Sequence, residues 1–259
     1  NPLHQITVGD SPALKRITCP IIFLSPANDF HGRIGDLPTA IGEIKSADWR
    51  VTCSPHHNHQ DTPPYEVATL LWMDRHLKAS FTFPKTPESE LKLSAKDGVP
   101  TFSVKPDTAR KILAVDVFYT QQGAVDPAIE DMGNAQHRFW HQAPVKETDG
   151  AWTARLPLAG TDKPLWAYAN VRYALDRPVS GAGYYYGPYT AQTFNVSSLL
   201  TTASPRELKE ARARVTLRRR HLIEDFAGDW EKEWFTYKPA EWARLTHKLN
   251  HDIWKAPAG

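Results

Sequence analysis

The sequence predicts an α/β segment followed by all-β structure: the closing strands and helices of an open parallel sheet, then an antiparallel β-sandwich, then the start of a jelly-roll-like module. Three features carry this expectation. Cys19–Ser25 and Trp49–Ser54 are short apolar runs of the kind that make fully buried strands, with a stretch of helical period between them. From Thr101 the texture changes to period-two alternation broken by turn formers, and after Ala213 short strand-like runs return. The predicted domains are 1–80, a linker over 81–100, a sandwich over 101–203 and the module over 204–259.

Each element has a local reason. Asp10-Ser11-Pro12 caps a short helix running to about Arg16. Leu37, Ala40, Ile41 and Ile44 fall at helical spacing and predict the crossover helix that two parallel strands require. Pro63 and Pro64 open a helix to Leu77. Its stripe of Tyr65, Ala68, Leu71 and Trp72, widened by Leu70 and Met73, is expected to lie on the sheet, and its basic end suits the helix dipole. Pro84, Pro87 and Pro100 mark the linker. Ile112–Tyr119, Trp152–Leu156 and Leu165–Tyr173 are strands separated by turns such as Thr148-Asp149-Gly150, a pattern that resembles fibronectin or immunoglobulin sandwiches. Ser204-Pro205-Arg206-Glu207 is a capping box. Val215–Leu217, Leu222–Phe226 and Trp242–Lys248 open the last module.

Composition narrows the function classes. With 259 residues and 41% hydrophobic there is material for real cores, and a net charge of +2 with mixed signs calls for neither nucleic acid nor an acidic surface as partner. No apolar run approaches a membrane span, and no membrane partner is expected. The chain begins at Asn1 without Met, so both ends are expected to be cut and the compartment stays open, with the periplasm or secretion in view. Cys19 and Cys53 stand at opposite ends of neighbouring parallel strands, roughly 15 Å apart, and are expected to be free and buried.

Chemistry in open parallel sheets gathers at the carboxyl ends of strands. Asn28-Asp29-Phe30-His31-Gly32 follows the first predicted strand and Pro55-His56-His57-Asn58-His59 follows the second, so an acid and an imidazole are expected to meet there. Together with Pro20, Pro26 and the closing helix, these loops resemble the last two strands of an α/β-hydrolase. Within that superfamily they resemble dienelactone hydrolases, acetyl xylan esterases and PhoPQ-activated pathogenicity-related proteins, over roughly the first eighty residues. The resemblance implies Asp29 as triad acid and His59 as base, with His57 the alternative, His31 and His57 at the substrate mouth, and a serine hydrolase of acyl or carbohydrate esters without cofactor. The chain departs from that pattern in having no Gly-x-Ser-x-Gly. Gly9-Asp10-Ser11-Pro12-Ala13 does not qualify, since no strand precedes it and proline follows its serine. The nucleophile is therefore expected from an upstream hydrolase portion, and the chain alone is expected to be inactive.

Two other readings stay open: a prolyl-oligopeptidase-like peptidase, and a non-catalytic binding or surface protein on a degenerate hydrolase scaffold. A zinc site is disfavoured, because the adjacent His56 and His57 point apart on extended backbone. Tyr184-Tyr185-Tyr186 could stack on sugars but suits a sandwich turn, His137–His141 reads as a sandwich strand with its aromatics inward, and Arg218-Arg219-Arg220 reads as a solvated hairpin end.

Overall fold

A computed structural model of the chain describes residues 11–58, 62–93, 97–124, 135, 137–183 and 187–217. Residues 1–217 form one compact unit and 218–259 a second. In the first, a short helix α1 (Ser11–Leu14) precedes β1 (Ile21–Leu24), a 3-10 turn (Ile34–Asp36), α2 (Leu37–Glu43), β2 (Trp49–Thr52) and α3 (Pro63–Lys78). Strands β3 (Glu88–Lys92), β4 (Thr101–Lys105), β5 (Ile112–Thr120), β6 (His141–Ala143), β7 (Val145–Thr148), β8 (Ala151–Arg155), β9 (Leu165–Gly183), β10 (Gly187–Ser197) and β11 (Thr201–Ala203) follow, then α4 (Pro205–Glu210).

The expected class, α/β then all-β, is corrected by this arrangement. Strand outweighs helix, 40% to 19%, and the sheets are antiparallel. The only parallel ladder among the described residues is the two-stranded β1–β2 pair, and no helix-covered parallel sheet of the α/β-hydrolase pattern is formed. The rest is a four-stranded sheet, β3-β4-β8-β7, and a five-stranded sheet, β10-β9-β5-β6 with β11 also on β9. The strands expected at 222–226 and 242–248, the Arg218–His221 run and Tyr184–Tyr186 lie outside the described residues. Both cysteines are free, but Cys19 precedes β1 and is exposed, whereas Cys53 is buried.

The five-stranded sheet is apolar on both faces. Along β9, Leu165, Ala167, Ala169, Val171 and Tyr173 join the cluster containing Phe102 and Val104 of β4, while Trp166 and Tyr168 join Ala27, Val51 and Cys53 of the β1–β2 region. Period-two alternation therefore sorts one strand's side chains into two cores, and its sequence reads as a continuous apolar run because neither face meets water. The helix α3 packs on β10 and β9 and buries Val67, Ala68, Leu71 and Trp72. Leu70 and Met73, expected in its buried stripe, are exposed.

The second face leaves no slack at Gly123. A Cβ there would stand 2.3 Å from Trp166 Cε2, a rigid ring atom that is itself buried. Gly123→Ala should therefore destabilise the protein by about 1–3 kcal/mol, read as a lower urea midpoint. An unchanged midpoint would contradict the close approach.

Candidate functional site

The β1–β2 ladder outlasts its strands. Beyond the register that ends at Leu24 and Thr52, Ser25 N donates to Thr52 O at 2.9 Å, Ala27 N to Ser54 O at 2.8 Å and Asn28 N to His57 O at 2.9 Å. Parallel pairing thus carries the two following loops side by side, and it brings Asn28-Asp29 against the histidine-rich loop. His59, the expected base, lies outside the described residues.

Within the first loop Asp29 is buried, and its Oδ1 accepts the backbone N–H groups of His31 at 2.7 Å and Gly32 at 2.9 Å. These two bonds fix the orientation of the carboxylate. The Ser25 hydroxyl donates to Gly32 O and closes the turn from the other side. His31 is exposed, with its ring 4.3 Å from that of Phe30. A cavity of 380 Å³ runs along β1 and is lined by Phe23, Leu24, Ser25, His31 and Gly32 among others.

In the second loop His57 Nδ1 lies 2.7 Å from Pro55 O. A carbonyl oxygen can only accept, so Nδ1 carries the proton and the neutral ring keeps its lone pair on Nε2. His56 has a φ of 60°, uncommon for a residue with a side chain, and its ring stands 5.1 Å from Phe139. Asn58 Oδ1 is buried with no partner among the described residues.

A clamp from the sandwich holds the first loop. Asn28 Nδ2 donates to Arg138 O at 2.6 Å, and Asn28 Oδ1 accepts the Trp140 indole N–H at 3.1 Å. Trp140 meets Tyr168 edge-on at 5.0 Å. Arg138 is 3% exposed, with its guanidinium 4.5 Å over the Trp166 ring and its Nε donating to Gln122 O at 3.3 Å. Burial pushes its pKa down to about 10, so it remains a cation at neutral pH and the indole face offsets part of the burial cost. Residues 137–140 are thus no strand: β6 begins at His141, Trp140 points inward and Phe139 is 56% exposed. In the sequence Asn28 stands out only as part of the loop motif, and Arg138 and Trp140 not as parts of the site at all. Their pairing spans 110 residues or more and leaves no local signal.

A second, 540 Å³ cavity lies at the amino end of β2, lined by Asp48, Arg50, Arg75, Lys85 and Asp107. There the Asp48 carboxylate bridges Arg50 at 2.9 Å and Arg75 at 3.1 Å, a mutually satisfied cluster of structural character. Among the described residues no group of three or more His, Cys, Asp or Glu converges as a metal site would need, and no helix is long and apolar enough to cross a membrane. Comparison of the chain with protein-family models, with curated proteins and with solved structures finds no match.

Two outcomes follow from this geometry. Asn28→Ala leaves a buried carbonyl and a buried indole N–H without partners and should cost about 2–4 kcal/mol, seen as a lowered denaturation midpoint; a loss below about 0.5 kcal/mol would contradict the clamp. His141 is pushed below its ordinary value of 6.5, first by burial and second by the charge of His56. The unfolded chain then takes up that proton at higher pH than the folded one, so the stability linked to His141 is full above about pH 6.5 and is lost as pH falls. His141→Gln should flatten the pH dependence of the midpoint between about pH 7 and 5, and an unaltered slope would refute the linkage.

Proposed function

We propose that the chain supplies the acid and base of a serine hydrolase acting on acyl esters, carbohydrate esters among them. In this reading Asp29 orients the imidazole of His59, and polypeptide outside residues 1–259 contributes the nucleophilic serine and the oxyanion donors. The observation that supports it best is the Asn28 N to His57 O bond at 2.9 Å, which ties the residue before Asp29 to the residue two before His59. In such a triad the imidazole takes the proton of the attacking serine while the carboxylate stabilises the imidazolium, and then returns the proton to the leaving alkoxide. The 380 Å³ cavity lined by Ser25, His31 and Gly32 offers room for an acyl group next to the turn that Asp29 shapes. His31 and His57 then stand at the substrate mouth.

A second reading is favoured by one specific feature. Asp29 Oδ1 accepts two N–H groups of its own turn, which is what a carboxylate kept only to shape a loop would do. A binding protein without catalysis would use the same geometry.

Nuclear magnetic resonance separates the two. With Asp29 as its orienter, the His59 imidazole should titrate above the ordinary 6.5, and Asp29→Asn should lower that value by about 1 unit or more. A His59 pKa indifferent to Asp29→Asn leaves only the loop-shaping role. On p-nitrophenyl acetate, residues 1–259 alone should not exceed background. Joined to the polypeptide that carries the serine, they should give activity that Asp29→Asn reduces about 10³–10⁴-fold.

A further inference from the structure

Beside the β5–β6 pair lies a cavity of 240 Å³. Its lining includes three ring side chains, Tyr119, Phe139 and His141, together with Pro157 and Leu217. Tyr119 and His141 are directly paired across β5 and β6 and stack at 5.1 Å, while Phe139 meets His141 edge-on at 5.0 Å. Phe139 and Leu217 are among the large apolar side chains that the fold leaves exposed, and both border this one cavity. Its polar lining residues are Thr120, Gln121, Gln122 and Lys163. Gln122 Oε1 is held by Phe139 N at 2.5 Å, which turns the amide's NH₂ pole away from that bond and sets it as a donor.

The position of Phe139 is built. Its neighbours on either side, Arg138 and Trp140, are buried and both are gripped by Asn28, so the backbone at 139 is fixed and the ring is directed outward. The left-handed backbone of His56 places a second ring 5.1 Å from it. Strain at a non-glycine residue persists where the surroundings over-determine it, and it clusters at ligand sites. The cavity is smaller than the 300–1,000 Å³ typical for drug-sized ligands, so it suits a single ring. Aromatic walls fit the apolar face of such a ring, and donors at the rim fit hydroxyl oxygens at its edge.

From this we infer that the Tyr119–Phe139–His141 cavity is a binding site for one pyranose ring of a neutral carbohydrate. The site stands apart from the Asp29 turn, because Asp29 is not among the described residues that line it.

Titration of the full chain with cellobiose, followed by nuclear magnetic resonance and calorimetry, tests the assignment, with sorbitol as the acyclic polyol control. Cellobiose should shift Tyr119, Phe139 and His141 resonances with a Kd of about 1 mM, and sorbitol should not. Phe139→Ala removes an exposed ring and leaves the fold intact. It should weaken binding at least tenfold, Phe139→Tyr should restore it, and Gln122→Ala should weaken it about threefold. Asp29→Asn should bind as the parent does, which keeps a failure of the hydrolase reading distinct from a failure here. Equal binding of sorbitol, unchanged affinity in Phe139→Ala, or loss of binding in Asp29→Asn alone would overturn the assignment.

Discussion

Both faces of the five-stranded sheet are buried, and the whole arrangement depends on that constraint. A sheet in a two-layer sandwich turns one face to water; here the second face receives the β1–β2 region, while the buried side chains of α3 join the cluster on the first. A polar network fixes the docking at its centre. Asn170 of β9 is fully buried, donates to Cys53 O at 3.0 Å and to the Tyr65 hydroxyl at 2.8 Å, and accepts the Ser197 hydroxyl at 2.5 Å. Ser197 in turn accepts Cys53 N at 2.7 Å. Apolar burial supplies the driving force, but it tolerates sliding. A buried carboxamide with every bond satisfied does not, because a shift of one residue would strand several polar groups. The register of β2 against β9 and β10, and so the height at which its loop emerges, follows from this network.

The loops after β1 and β2 inherit that precision. Scaffolds of regular structure commonly hold functional side chains on loops, where backbone is free to take special geometry. Here one loop is tied to the other by main-chain bonds and to the sandwich by Asn28. The same three-residue segment, Arg138 to Trp140, has one side gripping the Asp29 loop and another displaying Phe139 to the ring-lined cavity. Two candidate sites of different chemistry are thereby mechanically joined through a single asparagine.

Much of the local structure was legible in the sequence and much of its use was not. Helix α3 has the bounds its prolines and periodicity imply, yet periodicity says only that a stripe is buried, never against what. The stripe's partner is an antiparallel sheet, and Val67 is buried where Leu70 and Met73 were expected. The capping box at Ser204 and Glu207 forms as its spacing implies. Within the stretch read as linker, Glu88–Lys92 is an edge strand. Its outward Glu88, Glu90 and Lys92 disguise it, as charges on exposed edges commonly do. The fold class was misjudged because Cys19–Ser25 and Trp49–Ser54 look the same whether the sheet around them has two parallel strands or eight. At the site, Asp29 and the histidine loop could be placed by strand ends alone. The clamp could not, since an asparagine and a tryptophan more than a hundred residues apart carry no mark of each other.

The second face of the sheet must hold the β1–β2 loops as firmly as it holds its own strands. Native-state amide hydrogen exchange in low denaturant measures this directly, because amides opened only by global unfolding share one free energy. The N–H groups of Ser25, Ala27 and Asn28, all donors across the two loops, should exchange with the same free energy as those of Ala169 and Val171 in β9. Exchange of the loop amides through a separate local opening, several kcal/mol below the global value, would contradict it.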